Sequence, residues 1–493
     1  VSQGRTELDR KLARGTAWVG VVGGLSGVLD LGTTVACLWL WVTKEELGIA
    51  TIASALFPIL DRVAQLGLNQ AAVRRAEAGR AALSSIFWTS LAISLAQLAL
   101  LAAFALVLGR QLEHPVIAWL LVAYGGKLVV QNASLVPEAR LRHALAFGQL
   151  SKVRAISTLT DNASKVLAAY LGAHYFPDLR VGCFVIGPIM GGLVVAVGLQ
   201  LIQPWRPQWT FDTREVREAV RFGIHLSVAD LLYFAYTNCD YLVVGVAFDA
   251  AAVGAYRLAY EMVLDIVRLV SMVTAEVVFP AFTRLADQRA LAAEHLLKFT
   301  RQNLMMVAPL LVAIGVAADD LLGILYPPLG PAAGTAVRIL CIVGALRSAS
   351  FVIPPMLAGL GHSRDAVVYN LVAAIVCPAA FAIAAATWRS GGYLAVAWAW
   401  ALGYPIAFAV LVYLALNRTG TRLRSYARVV APIALWAGAM TAVALAVHAA
   451  LPESRWLRAG GVAGVALLGY VTVLVPARTR AVLGLPSIRG AKS

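Results

Sequence analysis

Apolar residues fall in fourteen successive runs along this chain, with short polar breaks between them. The runs lie near 16–43, 48–70, 84–108, 115–137, 151–173 and 181–203, then near 222–247, 254–280, 302–326, 333–358, 366–388 and 391–416. Two more follow near 429–451 and 456–476. Each is long enough to cross a hydrocarbon core of about 30 Å as a helix. Inside that core a single segment satisfies its own backbone only as a helix. The pattern predicts an all-α integral membrane protein of about 14 transmembrane helices, with twelve as the alternative count.

The polar breaks predict the orientation. Basic residues gather in alternate breaks, among them Arg74, Arg75 and Arg80, then Arg140, Arg142 and Lys152, then Arg206, Arg214, Arg217 and Arg221. That set, with both ends of the chain, holds 27 Lys and Arg, whereas the opposite breaks hold 6: Lys44, Arg110, Arg180, Arg389, Arg455 and Arg458. The positive-inside rule assigns the richer set, and both termini, to the cytoplasm. The charged opening (Arg5, Arg10, Lys11, Arg14) runs straight into the first full-length run, so no cleaved signal is expected.

Composition agrees with this reading. Mean hydropathy is +0.77 and 60% of residues are hydrophobic, against about half in a soluble domain. The net charge of +15 lies in short inter-helix loops and so does not indicate a nucleic-acid partner. Cys37, Cys183, Cys239, Cys341 and Cys377 lie in apolar stretches without a CxxC pair and read as small apolar residues, not ligands or disulfides.

The runs also repeat. Gly48 and Gly254 open the second and eighth after similar acidic turns, and Arg10–Gly15 echoes Arg217–Gly223. Ala133-Ser134-Leu135-Val136 echoes Ala349-Ser350-Phe351-Val352 near the ends of the fourth and tenth. Two six-span lobes related by an axis along the membrane normal are implied: 1–203, and 204–416 with 204–221 as a cytoplasmic linker. Residues 417–493 add two C-terminal spans and a tail. In the linker, Trp205 and Trp209 read as interfacial anchors and Asp212 as the cap of a short surface helix.

Against this apolar background stand eight basic residues within the spans, Arg62, Lys127, Arg154, Lys165, Arg257, Arg268, Arg338 and Arg347. Eight acids accompany them: Asp30, Asp61, Asp161, Asp230, Asp240, Glu261, Asp265 and Glu276. Facing lipid, each would cost about 2.5–3.5 kcal/mol, far more in total than a fold can spare. They are expected to face one another or a wet cavity between the half-bundles.

Helical spacing sorts them. Arg257, Glu261, Asp265, Arg268, Met272 and Glu276 form one stripe on the eighth span; Ser54, Pro58, Arg62, Gln65 and Asn69 form another on the second. The Gly48–Gly254 offset carries Arg62 onto Arg268. Arg62, Arg268, Arg154, Arg257, Lys127, Lys165, Gln65 and Asn69 are the candidate substrate-binding residues, because Arg grips phosphate in a bidentate fork and amides suit sugars. Asp240, Glu261, Asp265, Asp161 and Asp230 are candidates for charge balance or ion coupling. The competing reading makes the same charges structural pairs, notably Arg257–Glu261 and Asp265–Arg268. Arg338 and Arg347, nearer helix ends, are expected to snorkel to the interface. No nucleophile–base constellation or metal motif appears, so no catalysis is expected.

In the order and spacing of its motifs over about residues 10–420 the chain resembles the oligosaccharide-lipid flippase (Wzx-type) branch of the MOP superfamily. The resemblance rests on Arg14-Gly15-Thr16-Ala17-Trp18, Glu45-Glu46-Leu47-Gly48, Gln65-Leu66-Gly67-Leu68 and the inner loop Ala139–Phe147, then on Asn238-Cys239-Asp240, Gly245 and Val253–Ala259. It implies two lobes around a central cavity, alternating access, and an undecaprenyl-diphosphate-linked glycan as cargo, its tail left in lipid. It implies no cofactor beyond a proton or sodium gradient, and a glycan polymerase as a possible partner. A flippase for the peptidoglycan precursor and an ion-coupled multidrug antiporter are the alternatives within the superfamily.

Overall fold

A computed structural model describes residues 23–65, 67–75, 79–107, 114–144, 146–285, 288–326, 329 and 332–474. The opening Arg5–Trp18, Leu66, Arg110, Leu145 and the basic tail beyond 474 lie outside the described residues, as do the side chains of Arg74, Phe147, Phe222, His225 and Glu276. The described chain is helical: α1 (Gly23–Leu40), α2 (Lys44–Gln65), α3 (Leu68–Arg74), α4 (Arg80–Val107), α5 (Val116–Asn132), α6 (Leu135–His143), α7 (Phe147–His174), α8 (Asp178–Ile202) and α9 (Thr213–Ala247). Then come α10 (Ala250–Tyr260), a π-helical turn (Glu261–Asp265), α11 (Ile266–Thr283), α12 (Arg289–Val316), α13 (Ala318–Leu325), α14 (Ala332–Ser350) and α15 (Ile353–Gly359). The last are α16 (Ser363–Thr387), α17 (Tyr393–Thr419), α18 (Leu423–Ala450) and α19 (Arg455–Leu474).

This is a multi-pass membrane protein. Among the described residues eight helices are long and apolar enough to span a bilayer, or nine if the bent pair α5–α6 counts as one span. Each of the fourteen apolar runs lies on a helix or on a broken pair, though α2, α7 and α9 carry intramembrane charges that lower their hydropathy.

The breaks have local causes. Gly67 takes φ 69° between α2 and α3, a conformation that disfavours side chains with a Cβ. Between α5 and α6 the axis bends by 51°, where Ser134 Oγ donates to the Gln131 carbonyl at 2.7 Å. At the repeat-related break between α14 and α15, Ser350 Oγ donates to the Arg347 carbonyl at the same distance, with Pro at the start of α15. A hydroxyl competing for a backbone carbonyl loosens the helix at that point. The sequence echo around Ser134 and Ser350 is thus a pair of helix breaks.

The described residues fall into two compact units that divide between Gly254 and Ala255. This differs from the repeat boundary at 203/204, because α9 packs on α2, α3 and α4 within the first unit. In that unit Gly48 and Gly254 cross backbone to backbone. A Cβ on Gly48 would fall on the Ala250 carbonyl, and one on Gly254 on the Lys44 carbonyl. Lys44 and Ala250 are themselves related by the repeat, so the crossing is locally two-fold.

The linker departs from expectation. Trp205 is only 5% exposed, packed among Leu83, Ile86 and Leu135, and is a core residue, not an anchor. Trp209, 90% exposed, stacks on Trp88. Ser84 and Ser85 hydroxyls accept the Gln208 and Asp212 amides at 2.9 Å. Asp212 does cap a helix, accepting from the Arg214 amide at 2.8 Å, but that helix is the 35-residue α9. Beside it Arg75 pairs with Glu215 and Glu218, and these bonds, Arg75 first and Arg214 second, hold the Glu218 carboxyl below its ordinary range.

In the second unit α18 and α19 pack on α12 through Val312, Val316, Met440 and Val462. Asp320 is buried there and bonds His448 at 2.6 Å, although the adjacent acids Asp319-Asp320, at the outer end of the ninth apolar run, read in the sequence as solvated. Arg338 reaches Asp319 at 2.5 Å with both side chains about half exposed. Arg347 does not snorkel: it is 6% exposed, donates to Tyr260 Oη at 2.9 Å and lies over the Trp400 ring. Aromatic and hydroxyl partners make burial of that charge tolerable.

Orientation is testable. Single cysteines at exposed positions, Arg80→Cys, Thr210→Cys and Arg422→Cys, are expected to react with an impermeant maleimide only from the cytoplasmic side. Asp249→Cys is expected to react only from outside. Labelling of Thr210→Cys from outside would overturn the positive-inside assignment.

Candidate functional site

On α2, one turn of helix separates Asp61 from Gln65, and another, across the break, separates Gln65 from Asn69. The side chains form a ladder: Gln65 Nε2 donates to Asp61 Oδ1 at 2.7 Å, and Asn69 Nδ2 donates to Gln65 Oε1 at 2.9 Å. Arg62, one residue on and about 100° around the helix, reaches α9. There it lies 3.8 Å from Asp230 Oδ2 and over the Phe234 ring. At 3.8 Å the ions attract without a hydrogen bond. The pair is also open, with Arg62 28% and Asp230 49% exposed.

Asp61, Arg62, Gln65 and Asn69 line a cavity of about 340 Å³, closed on another side by Glu138 and Arg142 of α6. A second cavity of about 130 Å³ shares Asp61, Gln65, Asn69 and Glu138 and continues among Ser90, Ser94, Gln131 and Asn132. Glu138 accepts from Arg142 at 2.6 Å and from Arg154 of α7 at 3.0 Å. Arg154, one of the expected substrate-binding residues, meets Glu138 but is not among the residues lining either cavity, whereas Asp61, expected to face a partner or a wet cavity, lines both; Glu138 and Arg142 were not among the expected residues. The i,i+4 spacing of Glu138 and Arg142 was the available signal.

Lys127, Lys165 and Asp161 form a separate group in the same unit. Lys165, 4% exposed, pairs with Asp30 of α1. Ser26–Thr158 and Thr33–Asn162 hydrogen bonds tie α1 to α7 beside it. Asp161 packs into a notch of α8, where Gly187 and Gly191 leave no room for a Cβ against it. Its Oδ1 is shielded without a hydrogen-bond partner. Lys127 lies 4.4 Å over the Phe57 ring, within electrostatic reach of Asp161 and Asp61. Asp240 is fully buried on α9 and accepts from the Tyr241 amide at 2.9 Å.

In the second unit the expected stripe splits. The π turn inserts extra backbone between Glu261 and Asp265, which shifts the facing of everything beyond it. Arg257 and Glu261 pair at 2.5 Å and are each 18% exposed. Arg268 and Asp265 pair at 3.3 Å and are 53% and 41% exposed. The shielded pair fits the structural reading of these charges; the open one retains capacity for a ligand.

The polysaccharide biosynthesis protein family model matches residues 41–327. An amylovoran biosynthesis protein of Erwinia amylovora is 23% identical over 62% of this chain and 78% of its own length. A lipopolysaccharide biosynthesis protein of Escherichia coli is 20% identical over 69% of this chain and 68% of its own. Among solved structures, a lipid II flippase in an inward-closed conformation superposes with a TM-score of 0.73 at 15% identity, covering 96% of this chain and 99% of that one. That likeness establishes the fold.

Proposed function

The chain belongs to the polysaccharide biosynthesis protein family, and on that premise we propose that it flips undecaprenyl-diphosphate-linked oligosaccharide repeat units across the bacterial cytoplasmic membrane by alternating access. The product is an exopolysaccharide or O-antigen-type glycan. The observation that carries this reading is the open, charged chamber around Arg62, whose counter-ion Asp230 stands beyond hydrogen-bond distance.

A diphosphate entering that chamber offers Arg62 two oxygens at bidentate distance, a stronger bond than Asp230 makes at 3.8 Å. Gln65 and Asn69 present amides for sugar hydroxyls on the neighbouring turns. The polyprenyl tail stays in lipid, so the protein moves only the polar head. Displaced carboxylates such as Asp230 and Asp265 take up a proton or a sodium ion, which couples empty and loaded states to a gradient. Arg268 with Asp265 plays the same part in the second unit, with Arg154 and Arg257 as supporting cations. Glycan polymerase machinery receives the cargo at the outer leaflet.

Proteoliposomes holding the protein are expected to expose fluorescent undecaprenyl-diphosphate oligosaccharide to an external glycosidase, faster under an imposed pH or sodium gradient. Neutralising Asp230 or Asp265, the exposed partners of Arg62 and Arg268, as the amide is expected to flatten that gradient dependence at normal protein abundance. Unchanged dependence in both would leave these acids as structural partners. Lipid II moved in place of the oligosaccharide lipid would replace the cargo assignment.

A further inference from the structure

The two cavities of the first unit share a wall yet differ in chemistry. The larger is lined by Arg62 and Arg142; the smaller, among its described lining residues, has no basic side chain. What the smaller one offers is acceptors. The carboxylates of Asp61 and Glu138 stand on the shared wall. Gln131 Oε1 is shielded from solvent and has no hydrogen-bond partner. Asn132 spends its amide hydrogens on Ser94 Oγ at 2.8 Å and the Leu128 carbonyl at 3.0 Å, and Ser94 in turn donates to the Ser90 carbonyl at 3.0 Å. A shielded acceptor without a donor is costly, so native structures rarely leave one.

We propose that the smaller cavity is the subsite for the sugar ring nearest the diphosphate, and that it selects neutral, hydroxyl-bearing rings over acidic ones. This rests on the reading of the Arg62 chamber as the diphosphate site. A sugar joined to that diphosphate enters the adjoining cavity, and rotation of the half-buried Gln131 side chain on its wall brings the unpaired Oε1 to the ring hydroxyls, the donors it lacks. A uronate would bring a third carboxylate beside Asp61 and Glu138, where like charges repel, and the arginines that pair with Glu138, Arg142 and Arg154, are not among the described residues lining this cavity. The second repeat carries a different residue at this place. The offset from Ser134 to Ser350 relates Gln131 to Arg347, whose Nη1 is held by Tyr260. Gln131 is therefore where the first repeat exchanges a cation for a neutral acceptor.

The test measures binding to the purified protein in nanodiscs with three probes: undecaprenyl diphosphate, and the same lipid carrying glucose or glucuronic acid. The glucose probe is expected to bind roughly tenfold tighter than the sugar-free lipid, as one well-made buried hydrogen bond allows, and the glucuronate probe no tighter than it. Gln131→Met, close in shape, is expected to erase the glucose increment. Gln131→Arg, the residue the other repeat carries, is expected to create an increment for glucuronate. Equal binding of the two sugar probes to the unaltered protein overturns the proposal. So does a Gln131→Met protein that keeps the glucose increment or weakens all three probes equally. Sodium binding that is sugar-independent and lost in Gln131→Met would reassign the cavity to a cation. Failure of the parent reading looks different: Arg62→Ala would then bind sugar-free undecaprenyl diphosphate as well as the unaltered protein does.

Discussion

Arg62→Ala and Arg268→Ala are expected to abolish flipping of the glycan lipid while leaving the protein near its normal abundance. The burial of the two pairs is what decides between a functional and a structural outcome. Removing one partner of a buried pair costs about 3–5 kcal/mol, enough to send a marginal fold to degradation. Exposed pairs are worth about 0–1 kcal/mol. Arg62 and Asp230 are 28% and 49% exposed, and Arg268 and Asp265 are 53% and 41% exposed, so either alanine variant stays folded and loses a phosphate grip. Lysine at either position should restore transport only in part, since it keeps the charge and loses the fork. Asp30→Asn is the contrast: it removes the carboxylate paired with Lys165, whose side chain is 5% exposed, and should deplete the protein itself. Transport assays paired with quantitative blots separate the two classes. Well-expressed Arg62→Ala and Arg268→Ala proteins that still flip lipid would remove these arginines from the site.

A larger effect on the fold is expected from one methyl group at Gly48 or Gly254. On Gly48 the new Cβ would fall on the Ala250 carbonyl oxygen and 2.6 Å from its carbon; on Gly254 it would fall on the Lys44 oxygen and 2.8 Å from that carbon. These are backbone atoms of helix ends, unable to swing aside as a side chain does. The cost should therefore exceed the about 1–3 kcal/mol typical of an overpacked core, and both alanine variants should show sharply reduced abundance and melting temperature. Gly438→Ala is the control, since nothing lies within 4 Å of a Cβ there; little change is expected. A Gly48→Ala protein as abundant as the unaltered one would mean that the crossing does not constrain these helices.

Much of this molecule was legible in its sequence, for identifiable reasons. Apolar runs of spanning length located the helices because a bilayer leaves the backbone no other way to satisfy itself. Intramembrane charges announced polar sites because lipid penalises them so heavily. The i,i+4 and i,i+3 pairs Arg257–Glu261 and Asp265–Arg268 were readable for the same reason as any helical pair: neighbours one turn apart are fixed by helix geometry alone. The breaks were less legible. A π turn at Glu261–Asp265 has no motif of its own, and it undid the single stripe that regular spacing implied.

What only the tertiary structure decided are the pairings between helices. Arg62 has no acid on its own stripe, and its counter-ion, Asp230, comes from α9. The repeat hides a further case: Ser94 of α4 meets Asn132 of α5, while Asn303 of α12 meets Ser348 of α14. The same Asn–Ser clasp is kept with the residue types exchanged, so no alignment of like with like detects it. Trp205, Asp320 and Arg347 carry the same lesson, each buried where local sequence argued for an interface or solvent. Sequence by itself determined which segments are helical and which residues are polar within them, because those follow from short-range periodicity and the cost of charge in lipid. Which face meets which neighbour depended on where each helix bends and how closely its glycines let another approach, and those are properties of the packed chain.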